Sequence, residues 1–157
     1  MLTLLVNTVT LFIAALGCLL MGALVINNPP LGDPPGMWVR LRTYLTQNVA
    51  ETRRDHEFHE LELRCYRLPP KALFTRVEHA IHLLDWEVVE IDPRQHTLHA
   101  VITTPLFRFK DDLYVRLQVA ACGTELHIRS QSRVGRGDLA ANTRHILDLL
   151  EVLSRQL

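Results

Sequence analysis

The sequence predicts an α+β domain: an N-terminal transmembrane helix, then an antiparallel sheet in the order β-α-β-β-β-β-α, covered on one face by two helices. Three observations carry that reading. An apolar run without a charge opens the chain, alternating apolar and polar residues recur between positions 58 and 128 with turn residues between them, and two stripes of helical period flank those strands.

Residues 2–26 are interrupted only by Thr3, Asn7, Thr8, Thr10 and two glycines. As a helix the run is long enough to cross the ~30 Å hydrocarbon layer, so residues 1–27 read as a transmembrane anchor. A cleaved signal peptide is the main alternative. Against it stand the missing basic n-region and the lack of an A-x-A-like site. Ala15-Leu16-Gly17-Cys18 hints at lipoprotein processing, but apolar sequence instead of a polar tether follows the cysteine. No Lys or Arg precedes the run, whereas Arg40 and Arg42 follow it. That bias points to a single-pass protein with its domain in the cytoplasm. A bias of two arginines leaves a periplasmic domain open.

The stretch N-N-P-P-L-G-D-P-P-G at 27–36 cannot continue a helix, because four prolines remove donors and fix φ. It reads as a stiff spacer. Beyond it Trp38, Leu41, Leu45 and Val49 fall on one helical face, with Arg40 and Gln47 opposite and Tyr44 on the flank. This short amphipathic helix either lies in the membrane interface or packs on its own domain. Spacer and helix together occupy 28–47, and a single domain occupies 48–157.

Within that domain residues 48–57 are polar and read as a loop. Residues 58–66 alternate, Leu61, Leu63 and Cys65 on one side and Glu60, Glu62 and Arg64 on the other. Pro69 and Pro70 suit the first turn of a helix whose stripe is Leu73, Val77, Ala80, Ile81 and Leu84. Strands at 86–91 and 96–103 enclose the turn Asp92-Pro93-Arg94-Gln95. Leu113, Val115, Leu117 and Val119 make the next strand, Cys122-Gly123 the hairpin, and Leu126 and Ile128 the return. A closing helix over 138–157, with Asp138 as N-cap, puts Leu139, Ile146, Leu149, Leu150, Leu153 and Leu157 on one face.

Seventeen basic and seventeen acidic residues cancel, so no overall field draws in nucleic acid. Cys18, Cys65 and Cys122 show no metal spacing and no disulfide framework. Free thiols in a reducing compartment fit best, with a Cys65–Cys122 pair left open.

The histidine pairs His56/His59, His79/His82 and His96/His99 are each three apart, a spacing that puts strand side chains on opposite faces. His79 and His82 share a helix face, but the solvated one, so no metal or other cofactor is expected. Asp111 and Asp112 are adjacent on a strand and point to opposite faces, which argues against an acid/base dyad. The turn S-R-V-G-R-G-D at 132–138 joins guanidiniums, glycines and a helix start. Arg133, Arg136 and Gly137 are therefore candidates for binding a phosphate or carboxylate, unless Asp138 already caps the amides. Asn142 sits on the apolar face of its helix, where a buried amide must find partners. Asp111, Asp112, Arg129, Arg133, Asp138 and Asn142 are expected to form a structural polar cluster that pins the closing helix to the sheet.

The pattern R-S-x-S-R-x-G-x-x-D at Arg129, Ser130, Ser132, Arg133, Gly135 and Asp138, continued by Asn142 and Ile146, resembles an uncharacterised family of bacteria and plastids. That family is domain of unknown function 1499. The F-x-D-D element at Phe109, Asp111 and Asp112 agrees, and N-V-A-E-T at 48–52 echoes a family segment whose usual cysteine is absent here. Ala140 stands where the family commonly has glycine, and His145 where it often has arginine. The resemblance covers about residues 48–157 and implies a family, not an activity; with the apolar run, the expected location is a bacterial inner membrane. Three functional expectations follow. The first is a non-enzymatic accessory or assembly subunit, joined to an integral membrane protein complex through its anchor. The second is a module binding a lipid or small apolar ligand between the sheet and the closing helix. The third is a hydrolase or transferase using Asp111, Asp112, Arg133 and Asp138.

Overall fold

The computed structural model describes residues 1–157. Helix α1 (Leu2–Asn27) is followed by α2 (Met37–Thr46), β1 (Val49–Glu51), a 3-10 turn at His59–Leu61, β2 (Arg64–Tyr66) and α3 (Pro70–Leu83). Then come β3 (Glu87–Asp92), β4 (Thr97–Thr103), β5 (Lys110–Ala120), β6 (Gly123–Ser132) and α4 (Ala141–Ser154). All strand pairings are antiparallel, in the order β1-β6-β5-β4-β3, and β2 shares the outer edge of β6 with β1.

The period-2 pattern decides which face is buried. Leu113, Val115 and Leu117 of β5 and Leu126 and Ile128 of β6 turn inward, beside Leu98, Ala100 and Ile102 of β4. Against them pack Leu73, Phe74, Val77 and Ile81 of α3 and Ile146, Leu149, Leu150 and Leu153 of α4, all at most 4% exposed. Each such side chain contributes ~1.5 to 3 kcal/mol by leaving water.

Helix α1 is long and apolar enough to cross a membrane, and within it only Ala23 is buried. Several expectations are corrected downstream. The stretch read as a loop contains β1, which sequence pattern cannot reveal because it is recruited by backbone pairing to residues 129–131 of β6. The stretch read as one strand over 58–66 keeps only β2. Phe58 and Leu61 reach the core from the 3-10 turn, and Cys65 is exposed. Helix α2 packs on its own domain, but by the face opposite to the apolar stripe. Arg40 and Tyr44 are buried, whereas Trp38 is 76% and Leu45 46% exposed. The closing helix begins at Ala141, three residues after Asp138.

The cysteines also differ from the free-thiol expectation. Cys65 of β2 and Cys122 of the β5–β6 turn form a disulfide across a separation of 57 residues, and only Cys18 is free. Closing a loop of that length removes unfolded-state entropy equivalent to about 4 kcal/mol. Reduction is expected to lower the melting temperature by roughly 10 °C or more, as calorimetry with and without a thiol reductant will measure. An unchanged midpoint would contradict this.

Candidate functional site

The inward row of β6 changes from apolar to polar at its end, where Ser130 and Ser132 follow Leu126 and Ile128. Asn142, on the buried face of α4, meets both. The Ser130 hydroxyl donates to Asn142 Oδ1 (2.6 Å), while Asn142 Nδ2 faces three acceptors: Asp138 Oδ2 (2.7 Å), the Asn48 carbonyl (2.9 Å) and Ser132 Oγ (2.9 Å). Ser130 and Asn142 are 0% exposed. One amide thus joins β6, the chain before β1, the β6–α4 turn and α4.

Asp138 does not occupy the N-cap position, yet its carboxylate accepts the amides of Ala140 (2.9 Å) and Asn142 (3.1 Å). Leu139 and Ala140 bridge the gap with φ of 51° and 70°. This left-handed backbone explains why glycine suits position 140. Burial pushes the Asp138 carboxyl up to about 6, against the opposing pull of Asn142. The turn is also tied to the N-terminal elements. The amides of Asp138 and Leu139 donate to the Tyr44 carbonyl (3.1 and 3.0 Å), and Asn27 Nδ2 donates to the Leu139 carbonyl (2.8 Å). Gly137 lies against the backbone of Leu45, where an added Cβ would stand 2.3 Å from the Leu45 oxygen.

The anion site anticipated at Arg133, Arg136 and Gly137 therefore meets amides already turned to Asp138. Arg133 is bound to Asp112, Gly137 is packed on α2, and Arg136 is exposed.

Behind Ser130 lies a second pair. His145 Nδ1 is 3.3 Å from Ser130 Oγ and 3.7 Å from Asp111 Oδ2, with Asp111 1% exposed. Burial pushes the Asp111 carboxyl up, partly offset by the neighbouring Ser132 hydroxyl, and lowers His145 to about 4. His145 is therefore neutral at pH 7, so the contact is not an ion pair. It is not a catalytic triad either: serine and carboxylate approach the same imidazole nitrogen, whereas a triad needs them on opposite nitrogens.

The outer face carries a separate group. Arg133 donates twice to Asp112 (2.8 and 2.7 Å), whose other neighbour is His99 Nε2 (2.8 Å). Arg133 first, then His99, holds the Asp112 carboxyl at about 2. His99 stacks on Tyr114 at 4.5 Å between ring centroids, and Arg129 approaches Glu51 at 3.9 Å. The polar residues expected in one cluster thus fall into two. Asp111, Asp138 and Asn142 lie between sheet and helix, while Asp112, Arg129 and Arg133 lie on the open face. The set expected for hydrolase chemistry is split by the sheet in the same way.

The buried pair makes a pH prediction. A histidine lowered to about 4 binds its proton more weakly folded than unfolded, so its share of stability is present above pH 6.5 and lost as pH falls toward 4. Asp138, raised to about 6, acts in the opposite sense between pH 4 and 6, favouring the fold as pH falls. His145→Gln removes one of these opposing slopes. Between pH 4 and 6 the variant should lose up to about 1.4 kcal/mol per pH unit more than the native chain as pH rises. Denaturant titrations across that range measure the difference, and parallel curves would contradict it.

Sequence reasoning did not find Arg40. Its guanidinium donates to Glu60 Oε2 (3.0 Å), the Pro34 carbonyl (2.7 Å), the Asp33 carbonyl (3.0 Å) and the Tyr44 hydroxyl (3.3 Å), and lies 4.4 Å from the Phe58 ring centroid. At 0% exposure it joins spacer, α2 and the 3-10 turn. Nothing local to the sequence marks a partner twenty residues away.

No curated protein matches this chain. A solved structure titled "Crystal structure of Ara h 8.0201" is similar at a TM-score of 0.46 and 14% identity, covering 69% of this chain and 95% of that one. A family model described as "Protein of unknown function (DUF1499)" matches residues 37–153, from the first residue of α2 into the last turn of α4. The chain therefore belongs to the DUF1499 family.

Proposed function

We propose that this protein is a non-enzymatic accessory subunit, anchored in the bacterial inner membrane by α1 and joined through that helix to an integral membrane protein complex. The carrying observation is a stripe on α1. Thr3, Asn7, Thr10, Ala14 and Gly17 recur at alternating spacings of four and three, which puts these five on one side of the helix, beside a second small set of Thr8, Ala15, Cys18 and Gly22 and opposite Leu5, Phe12, Ile13 and Leu16. Thr10 bonds back to the Val6 carbonyl, but the Asn7 amide has no partner in its own chain. Transmembrane helices pack through such small and hydrogen-bonding residues. The sealed polar cluster supports the non-enzymatic part of the reading, since Ser130 and Asn142 expose no surface to a substrate.

The Cys65–Cys122 disulfide favours the oxidising, periplasmic side for the domain and outweighs the bias of Arg40 and Arg42. Purification in mild detergent should bring a membrane protein along with the native chain but not with Asn7→Leu/Gly17→Leu, which remains in the membrane. Recovery of the native chain alone, or of the same companion with both chains, would overturn the subunit reading. A reporter active only in the periplasm, fused after Leu157, should give signal; silence would place the domain in the cytoplasm.

A further inference from the structure

Two segments of the domain meet the end of α1. The β4–β5 loop with the first residue of β5 reads T-P-L-F-R-F-K at 104–110, and the β6–α4 turn reads R-V-G-R at 133–136. Together with Ala23 and Ile26 of α1 they line a cleft of about 180 Å³, whose wall includes Leu106, Phe107, Phe109 and Val134. These four are 41%, 39%, 46% and 61% exposed, and the rings of Phe107 and Phe109 stack at 5.5 Å. Large apolar side chains grouped this way on a water-facing surface mark a contact site.

Their depth follows from α1. Twenty-six residues at ~1.5 Å each extend about 39 Å, beyond a hydrocarbon layer of ~30 Å. The last turn and a half, where Ala23 and Ile26 lie, therefore reaches the headgroup region, and whatever packs beside it lies at that level. Charge agrees with depth. Arg108, Lys110, Arg133 and Arg136 are interleaved with the apolar tips, and all four are exposed. Arg133 is bound to Asp112 and Lys110 lies 3.7 Å from Glu87, which leaves Arg108 and Arg136 without an acidic partner. Apolar tips surrounded by cations match a surface of acyl chains capped by anionic headgroups. Asp111 and Asp138 also line the cleft, but Asp111 is 1% exposed and the Asp138 carboxylate is turned inward to the amides of Ala140 and Asn142, so neither carboxyl faces the headgroups.

We propose that the 104–110 loop and the 133–136 turn insert Leu106, Phe107, Phe109 and Val134 into the bilayer that holds α1, with Arg108 and Arg136 on anionic phospholipid headgroups. The domain then lies on the membrane and does not swing from its spacer. This rests on α1 crossing the bilayer, and the test separates the two claims.

Full-length chain is reconstituted into vesicles of phosphatidylcholine with or without phosphatidylglycerol, each doped with lipid carrying a nitroxide quencher just below the headgroup. Flotation with the vesicles reports the anchor. Tryptophan quenching reports the loop, as the increment over the native chain given by Phe107→Trp and, at the far end of the sheet, Val119→Trp. The increment from Phe107→Trp should be at least threefold that from Val119→Trp and should grow with phosphatidylglycerol. Arg108→Glu/Arg136→Glu, which touches no core residue, should abolish the growth. Equal increments at the two sites in a chain that floats would overturn insertion and leave the face to a protein partner. Increments that ignore phosphatidylglycerol would overturn the headgroup contact. A chain that does not float fails on the anchor instead.

Discussion

Replacement of Asn142 by alanine is expected to lower the unfolding free energy by about 3 to 5 kcal/mol, although the residue touches no surface. Its amide serves Ser130, Ser132, Asp138 and the Asn48 carbonyl at 2.6 to 2.9 Å, and none of the variant's own atoms replaces it. A buried group left without its partner costs ~1 to 3 kcal/mol, and several are orphaned together. For a domain of this size the melting temperature should fall by roughly 15 °C. Asn142→Asp provides a sharper control. It places a second carboxyl where the Nδ2 atom now stands 2.7 Å from Asp138 Oδ2, so one of the two must stay protonated. That variant should be least stable above pH 6 and recover as the pH is lowered. Midpoints within 2 °C of the native chain for both variants would contradict the network. Arg133→Ala should move the midpoint far less than Asn142→Ala, because the residue is half exposed and solvent screens its pair with Asp112. Combined with Asn142→Ala its effect should add, since the two lie on opposite faces of the sheet and share no partner. The sequence alone had placed them in one network.

Arg40→Met is expected to cost about 3 to 5 kcal/mol, a comparable loss by a different route. Arg40 is fully buried and Glu60 is 15% exposed, so removing the cation strands a carboxylate. Breaking such a pair from one side costs far more than replacing both partners by apolar groups. Arg40→Met/Glu60→Leu should therefore be more stable than Arg40→Met. The carbonyls of Asp33 and Pro34 lose their donor as well. Limited proteolysis should then cut the spacer between α1 and α2 faster in the variant than in the native chain. A double variant less stable than Arg40→Met would contradict the account of this pair.

How far the sequence discloses this structure depends on how local each signal is. The alternation along β5 and β6 and the stripes of α3 and α4 are consequences of burying one face, so they were legible, and the motif residues Ser130, Ser132, Asp138 and Asn142 do meet in one network. What escaped was non-local. β1 is defined by the edge it joins, and Phe58 and Leu61 are buried from a 3-10 turn, whose period of three imitates neither helix nor strand. Helix α2 reversed the usual rule because Arg40 finds a carboxylate, two carbonyls and an aromatic face inside the domain. Its apolar stripe, Trp38 and Leu45, is left outward. Asp111 and Asp112 were separated correctly by the strand period, but assigning Arg133 to one face and Asn142 to the other required the path of the turn. The set Thr3, Asn7, Thr10, Ala14 and Gly17 shows only when the spacing along the apolar run is counted, because hydropathy alone does not separate the faces of α1.

That stripe also offers the most direct test of the central claim, that the protein acts as a subunit through α1. A photoreactive amino acid is placed in turn at Asn7, Thr10, Ala14 and Gly17, and at Leu5, Phe12, Ile13 and Leu16 on the other side of the helix. The membranes are then irradiated. The account predicts a discrete protein adduct from the first set, repeating with the spacing of four and three, and lipid adducts from the second. Lipid adducts alone from all eight positions, or protein adducts without regard to face, would contradict it.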